Sequence, residues 1–107
     1  FTHDKRLVIV EDVLSAIKVN LAGYNAVALN GSNMTDYQAV QLADSRAVRY
    51  LWLDPDAAGI KGTRAALVQL YMQGTAEVRL VQSDKDPKTY NKEEITLHIE
   101  RAKICLT

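Results

Sequence analysis

The sequence has little cysteine and histidine, no net charge and no long apolar run, and each shortage excludes a class of protein. Cys105 is the only cysteine, so no intrachain disulfide can form, and one cysteine with two scattered histidines cannot supply a zinc site. No apolar run approaches the roughly 20 residues of a membrane span, and no signal-peptide pattern is present at the N-terminus. We therefore expect a soluble cytoplasmic protein with no membrane partner.

Charge and length narrow the possibilities further. The 13 basic and 13 acidic side chains balance, so any polyanion must be held by a local basic patch or through metal ions. A chain of 107 residues that is 48% hydrophobic can bury one modest core. Because the sequence begins at Phe1 and not at methionine, we expect residues 1–107 to be a single domain taken from a longer chain.

The chain alternates strand-like apolar runs with segments of helical periodicity, which is typical of βαβ units. The predicted strands span residues 6–10, 26–29, 48–53 and 77–81. Helices are predicted from Asp12 to Gly23, from Thr35 to about Ser45, over residues 60–73, and after Asn91. The apolar residues that repeat with helical spacing are predicted to be buried; they are Val13, Ala16, Ile17, Leu21, Ala66, Leu67, Leu70, Tyr71, Ile95, Ile99 and Ala102. The expected fold is α/β, with a four-stranded parallel sheet flanked by helices.

Acidic residues follow three of the four predicted strands. Glu11 comes after the first strand, Asp54 and Asp56 come after the third, and the Asp84/Asp86 pair comes after the fourth. The carboxyl ends of parallel strands share one edge, where α/β sheets bind ligands. Carboxylate oxygens are the donors that Mg²⁺ prefers. The pattern predicts a divalent metal site if strands one, three and four are neighbours.

A purely structural interpretation competes with this one. Asp54-Pro55 resembles a helix start, with Asp54 as the cap, Pro55 in the first turn and Asp56 favoured by the helix dipole. Glu11 is harder to explain in this way, because glutamate is a poor cap and Asp12 is available for that position. Acids after three separate strands favour the metal site, since their mutual repulsion would be costly without a cation.

Other residues near this edge have two open interpretations. Gly31 and Gly59, placed in loops, either allow close approach to a ligand or simply form turns. Basic side chains in or beyond these loops either contact phosphates or are ordinary solvated surface; they are Lys61, Arg64, Lys85, Lys88 and Lys92. We expect no ligand role for His3 or His98, core positions for Tyr50 and Trp52, and no nucleophile at Ser15 or Thr63.

The order of these motifs resembles the Toprim domain shared by primases, topoisomerases and several nucleases. The likeness runs from Arg6 to about Ala102 and includes Asp54-Pro55-Asp56-Ala57-Ala58-Gly59 and Lys85-Asp86-Pro87, which are most similar to bacterial and bacteriophage primases or primase-helicases. The chain departs from the primase pattern at Asp12, which replaces a glycine, at Ser15, which replaces an acid, and at Lys88, which replaces another acid.

This resemblance implies a DNA-replication enzyme, a Mg²⁺- or Mn²⁺-dependent nucleotidyltransferase of a bacterial or phage-infected cell. It would join ribonucleoside triphosphates into primers on a single-stranded DNA template, in some cases beside a helicase. The implied catalytic residues are Glu11, Asp54 and Asp56, and the implied metal ligands are these three with Asp86. The alternatives are a Toprim nuclease that uses the same acids, and an inactive Toprim module that only binds nucleic acid or a partner.

Overall fold

A computed structural model describes residues 6–44 and 46–104 of the chain. The expectations for His3, Ser45 and Cys105 lie outside these residues. The strands are β1 (Arg6–Val10), β2 (Ala26–Ala28), β3 (Val48–Trp52), β4 (Glu77–Leu80) and β5 (Lys103–Ile104). The helices are α1 (Val13–Leu21), α2 (Asp36–Leu42), α3 (Ala57–Met72) and α4 (Lys92–Glu100), with a short 3₁₀ helix at Pro87–Thr89.

The strands form one sheet in the order β2-β1-β3-β4-β5. The first four strands are parallel, and β5 pairs with β4 in the antiparallel direction. This confirms the predicted α/β class, while the two-residue β5 was not predicted. The chain passes from β1 outward to β2 and then returns across β1 to β3, so the topological switch point lies between β1 and β3.

Both faces of the sheet are covered by helices, which explains why the strands read as continuous apolar runs. Val8, Val10 and Trp52 belong to the core cluster on the α1 and α4 side. Ile9 and Leu51 point to the opposite side, where α2 and α3 pack. Trp52 is fully buried and Tyr50 nearly so, as predicted for core residues.

The helix starts follow the capping signals of the sequence. The Asp12 side chain accepts the Ser15 N–H at the start of α1. Complete capping boxes begin α2 at Thr35 and α4 at Asn91. The first turns of these helices are therefore determined locally, whatever the sheet does.

The predicted buried stripe of α1 is wrong for its three large residues and is confirmed for Ala16. Val13, Ile17 and Leu21 are 54%, 47% and 73% exposed, whereas Ser15, Ala16 and Val19 are buried. Small side chains at positions 15 and 16 let the helix lie close against the sheet, and this turns the larger ones outward. The predicted stripe of α3 is confirmed for Ala66, Leu67 and Leu70; Ile95 and Ile99 of α4 are buried as expected, with Tyr71 and Ala102 partly buried.

No helix in the described part of the chain is both long enough and apolar enough to span a membrane.

Candidate functional site

The carboxyl ends of β1, β3 and β4 lie side by side, as the predicted site requires. Val10 is in register with Trp52, and Leu51 is in register with Leu80. Glu11 and Asp54 therefore leave the sheet at the switch point, between two adjacent parallel strands. Asp86 arrives from the next strand, β4, through the loop that follows it. This is the edge at which open α/β sheets form their ligand crevice.

Glu11 and Asp54, which we term the Glu11–Asp54 pair, are in direct contact. The Oε1 atom of Glu11 accepts the backbone N–H of Asp54 at 3.0 Å. The Oδ1 atom of Asp54 is buried and has no hydrogen-bond partner among the described residues. A buried carboxylate oxygen without a hydrogen-bond partner destabilises the folded state, so a hydrogen-bond donor or a cation beside this atom would stabilise it.

Both acids of the Glu11–Asp54 pair have raised pKa values. Burial and the negative charges of Glu11 and Asp86 raise the pKa of Asp54 from 3.8 to about 6. Burial also raises the pKa of Glu11; the Asp54 N–H opposes this effect, and the negative charges of Asp56 and Asp86 add to it. Both carboxylates would be stabilised in their ionised form by a nearby positive charge.

Asp56, and not Asp54, caps α3. The Oδ1 atom of Asp56 accepts a hydrogen bond from the Gly59 N–H at 2.7 Å, and the backbone of Asp56 is extended, as is usual for an N-cap residue. The capping interpretation of this motif therefore applies to Asp56, while Asp54 is left without any helical role. Asp56 is exposed, so its second oxygen faces solvent beside the Glu11–Asp54 pair.

Gly59 lies inside the first turn of α3 and not in a loop, which corrects the predicted placement. A Cβ atom at this position would lie 1.9 Å from the carbonyl oxygen of Asp54 and 2.9 Å from Oε1 of Glu11. The absence of a side chain thus lets the start of α3 approach both acids. Gly62 has the same role against Ser32, where a Cβ would lie 1.8 Å from the carbonyl oxygen, and no sequence signal indicated it.

Lys88 links two other acids, in what we term the Asp12–Lys88–Asp86 bridge. Its Nζ atom lies 3.0 Å from Oδ2 of Asp12 and 3.1 Å from Oδ2 of Asp86. The hydrogen bonds that Lys88 donates to Asp12 and then to Asp86 raise its pKa. Burial alone would raise the pKa of Asp12, but the Ser15 N–H and Lys88 outweigh it and lower that pKa. The sequence identified Asp12 and Lys88 as departures from the primase pattern, but it did not indicate that these two residues form an ion pair.

The loop that carries Asp86 is held by a chain of hydrogen bonds from the core. The Trp52 indole donates to Oγ of Ser83 at 2.8 Å, and that hydroxyl donates to the Lys85 carbonyl at 2.8 Å. The Lys85 N–H donates to the Tyr90 hydroxyl at 3.2 Å. Trp52 therefore supports the site as well as the core, a role that was not predicted. His98 stacks on Trp52 and Tyr90 in this region and reaches no acid among its described contacts.

The remaining predicted residues surround the acids at different distances. Gly31 has a φ of 152°, and its N–H donates to the Glu11 carbonyl at 3.1 Å, which ties the turn after β2 to the end of β1. Arg64 lines a cavity of about 410 Å³ that also includes Asp54, Thr63 and Ser83. Lys61, Lys85 and Lys92 are exposed, as is Asp84.

The acids fit a hard divalent cation, although they are not gathered into a closed ligand set. Within the described ranges, no three or more histidine, cysteine, aspartate or glutamate side chains form a group that could hold a metal ion. The fit instead comes from the unpartnered buried oxygen of Asp54 and its contact with Glu11. Mg²⁺ is commonly bound by one or two carboxylates, with water and substrate phosphates as the other ligands.

Comparison with known proteins agrees with this geometry. A family model described as Toprim-like matches residues 9–91, which include every acid discussed above. No curated protein matches the chain by sequence. Among solved structures, the Aquifex aeolicus primase with its zinc-binding and RNA polymerase domains is 28% identical, with a TM-score of 0.78 over 94% of this chain.

Two further solved structures are similar to this chain. The DnaG primase catalytic domain bound to single-stranded DNA is 28% identical over 94% of this chain, with a TM-score of 0.71. A small Toprim protein from Bacillus stearothermophilus is 18% identical, covers 98% of this chain and 96% of its own, and has a TM-score of 0.65, which shows the shared fold. The chain spans only 27% and 34% of the two primase chains.

Proposed function

This chain belongs to the Toprim-like family, and we propose that it is the metal-dependent phosphoryl-transfer domain of a DNA primase or primase-helicase. It would take part in joining ribonucleoside triphosphates into RNA primers on single-stranded DNA in the cytoplasm of a bacterial or phage-infected cell. The observation that carries the proposal is the buried, unpartnered oxygen of Asp54 beside Glu11, at the strand ends of a primase-like fold.

In this proposal Glu11 and Asp54 hold Mg²⁺ or Mn²⁺, and the exposed carboxylate of Asp56 adds negative charge beside them. A bound ion would polarise the phosphates of a nucleotide and offset the charge that develops during in-line displacement. Glu11 stands next to this position with a raised pKa, which suits a group that accepts and returns a proton. Its contact with the Asp54 N–H fixes the direction of its carboxylate, so its second oxygen can face the reacting group.

The surrounding residues would guide the polyanionic substrates. Arg64 lines the cavity next to Asp54 and offers a fork of N–H donors that suits a phosphate. Lys61 and Lys85 are exposed on either side, where they would contact the DNA backbone or triphosphate. Gly59 contributes by letting the start of α3 approach the acids closely, and Gly31 contributes the positive φ of the turn whose N–H donates to the Glu11 carbonyl. A helicase domain or protein would be the partner that supplies the template.

The test is primer synthesis by the full-length protein with labelled single-stranded DNA, ribonucleoside triphosphates and Mn²⁺. Asp54→Asn and Asp56→Asn keep side-chain size, and asparagine still caps a helix, so both variants remove charge without removing shape. We expect each to reduce extension by about 100-fold or more, as for the loss of other preorganised charge-stabilising groups. Asp84→Asn, at an exposed acid of the Asp86 loop, is the matched control and should retain synthesis.

Other outcomes separate the alternatives. Metal-dependent shortening of the labelled DNA, lost in the same two variants, would identify a nuclease and overturn the primase assignment. Calorimetric titration with Mg²⁺ and Mn²⁺ tests the inactive module, because such a module should show no heat that Asp54→Asn removes. Full primer synthesis by Asp54→Asn would contradict the role of the site altogether.

A further inference from the structure

The acids at this edge of the sheet share one ion-paired cation, the Lys88 ammonium of the Asp12–Lys88–Asp86 bridge, among the described residues. Five carboxylates lie around the strand ends: Glu11, Asp12, Asp54, Asp56 and Asp86. Within the described residues, Lys88 is the only cation that forms an ion pair with any of them. Within the described residues, the ion-paired positive charge at this edge therefore lies on the Asp12–Asp86 side.

The two sides differ in what is left for an added cation. On one side, Asp12 gives one oxygen to the Ser15 N–H and the other to Lys88, while Asp86 gives an oxygen to the same ammonium. On the other side, Oδ1 of Asp54 has no hydrogen-bond partner among the residues that the structure describes. A divalent ion near Asp86 would have to displace or repel an ammonium 3.1 Å from that carboxylate, and this repulsion opposes binding of the ion.

Lys88 is also held in place by its own segment. It lies in the middle of the 3₁₀ helix Pro87–Thr89, whose turn is closed by two hydrogen bonds from Thr89 to the Asp86 carbonyl, at 3.0 Å and 2.7 Å. The buried ring of Pro87 anchors this turn. The ammonium is thus a positioned charge and not a lysine that moves freely on the surface.

We propose that Lys88 takes the place of a second metal ion, so that this chain binds a single divalent cation, at Glu11 and Asp54, and none at Asp86. The inference rests on the proposed function, since it assumes that the Glu11–Asp54 pair binds metal. It also explains why the residue types at positions 12 and 88 occur together: each one supplies the charge that the other needs.

The experiment counts bound ions directly. Electron paramagnetic resonance of free Mn²⁺, with calorimetry in parallel, measures the number of ions per chain without any assay of activity. We expect one ion for the wild type and for Lys88→Arg, which keeps the charge, and two for Lys88→Met and Lys88→Glu. Any weak binding of a second ion to the wild type should be at least about tenfold tighter in Lys88→Met, because the positive charge of Lys88 no longer opposes it.

Lys92→Met is the matched control, because Lys92 is an exposed lysine just beyond the same 3₁₀ turn, at the start of α4. It should bind one ion. Two ions in the wild type, or one ion in both Lys88→Met and Lys88→Glu, would overturn this inference and leave the proposed function standing. No binding by the wild type would remove both. If Lys88→Met fails to fold, the count for the wild type still decides between one ion and two.

Discussion

Two sets of carboxylates lie at the same edge of the sheet, yet only one set has its own counter-charge. In the Asp12–Lys88–Asp86 bridge, the oxygens that face inward are paired with an ammonium, and the pKa of Asp12 is lowered. In the Glu11–Asp54 pair, a buried oxygen of Asp54 has no hydrogen-bond partner in the described part of the chain, and the pKa of Asp54 is raised to about 6. Residues 11 and 12 are adjacent in sequence, so the difference comes from what the fold places opposite each of them.

This difference separates a structural acid from one that can act. A carboxylate whose charge is already matched contributes to stability and has little to gain from a ligand. A carboxylate that is buried without a partner destabilises the empty fold and gains most when a cation arrives.

Gly59→Ala should disrupt the Glu11–Asp54 pair most severely. The new Cβ would lie 1.9 Å from the Asp54 carbonyl oxygen, so α3 must move away from the acids. We expect a loss of about 3 kcal/mol in the free energy of unfolding, the upper end for overpacking, together with loss of Mn²⁺ binding. Urea denaturation measures the first effect and calorimetry the second.

Ala65→Gly at an exposed position of the same helix is the control for Gly59→Ala. It should cost only about 1 kcal/mol, from helix propensity, and leave Mn²⁺ binding unchanged. Equal stability losses in the two variants would argue against the close approach of α3 to Asp54.

Asp54→Asn should stabilise the metal-free protein at pH 7.5 while removing its stabilisation by Mn²⁺. A pKa raised from 3.8 to about 6 means that the ionised form is disfavoured in the fold. Neutralising it should therefore raise the free energy of unfolding by about 1–3 kcal/mol in the presence of a chelator. Asp84→Asn, at an exposed acid, should change it by no more than about 0.5 kcal/mol.

The pH dependence of stability should show the same group. Because the folded chain holds the Asp54 proton more tightly than the unfolded chain, the neutral form stabilises the fold below about pH 4, and this is lost as the pH rises through about 6. Metal affinity should move in the opposite direction and increase about tenfold between pH 5 and pH 7, since the metal needs the ionised form. Thermal unfolding with chelator and titrations with Mn²⁺ give the two curves.

The stability curve of Asp54→Asn should lack the decline between about pH 4 and pH 6. A wild-type curve that rises over this range would contradict the raised pKa of Asp54.

Asp56 has two roles that substitution can separate. Asp56→Ala should lose the α3 cap, whose bond to the Gly59 N–H is 2.7 Å long, and cost about 1 kcal/mol of stability. Asp56→Asn should keep the cap and thus nearly all the stability, yet bind Mn²⁺ more weakly. A loss of stability in Asp56→Asn as large as in Asp56→Ala would mean that the charge, and not the cap, stabilises α3. Circular dichroism and calorimetry distinguish these results.

Lys88→Met should have the smallest effect on the metal-free protein. The side chains of the bridge are between 34% and 39% exposed, so each ion pair contributes little after solvent screening. We expect a loss of less than about 1 kcal/mol, which 0.5 M salt should reduce further. A loss several times larger that salt does not change would place the bridge among buried structural pairs.

Much of the fold was predictable because its signals are local. Apolar runs marked the four parallel strands, and the caps at Asp12, Thr35 and Asn91 marked three helix starts. The order of acids after strands also predicted which residues would meet at one edge. The rotation of α1 was not predictable, because its apolar side chains satisfy two possible stripes and only contact with the sheet selects the one with small residues.

Local sequence patterns were enough to predict the four parallel strands, the capped starts of α1, α2 and α4, and the acids at the strand ends. Long-range packing places β1 beside β3, which brings Glu11 to the Asp54 N–H across 43 positions of sequence. The same packing leaves Oδ1 of Asp54 without a hydrogen-bond partner among the described residues and lets Lys88 bridge acids from two loops. Capping and strand formation depend on neighbours within a few residues, whereas the charge state of a carboxylate depends on burial and on every charge that the fold brings near it.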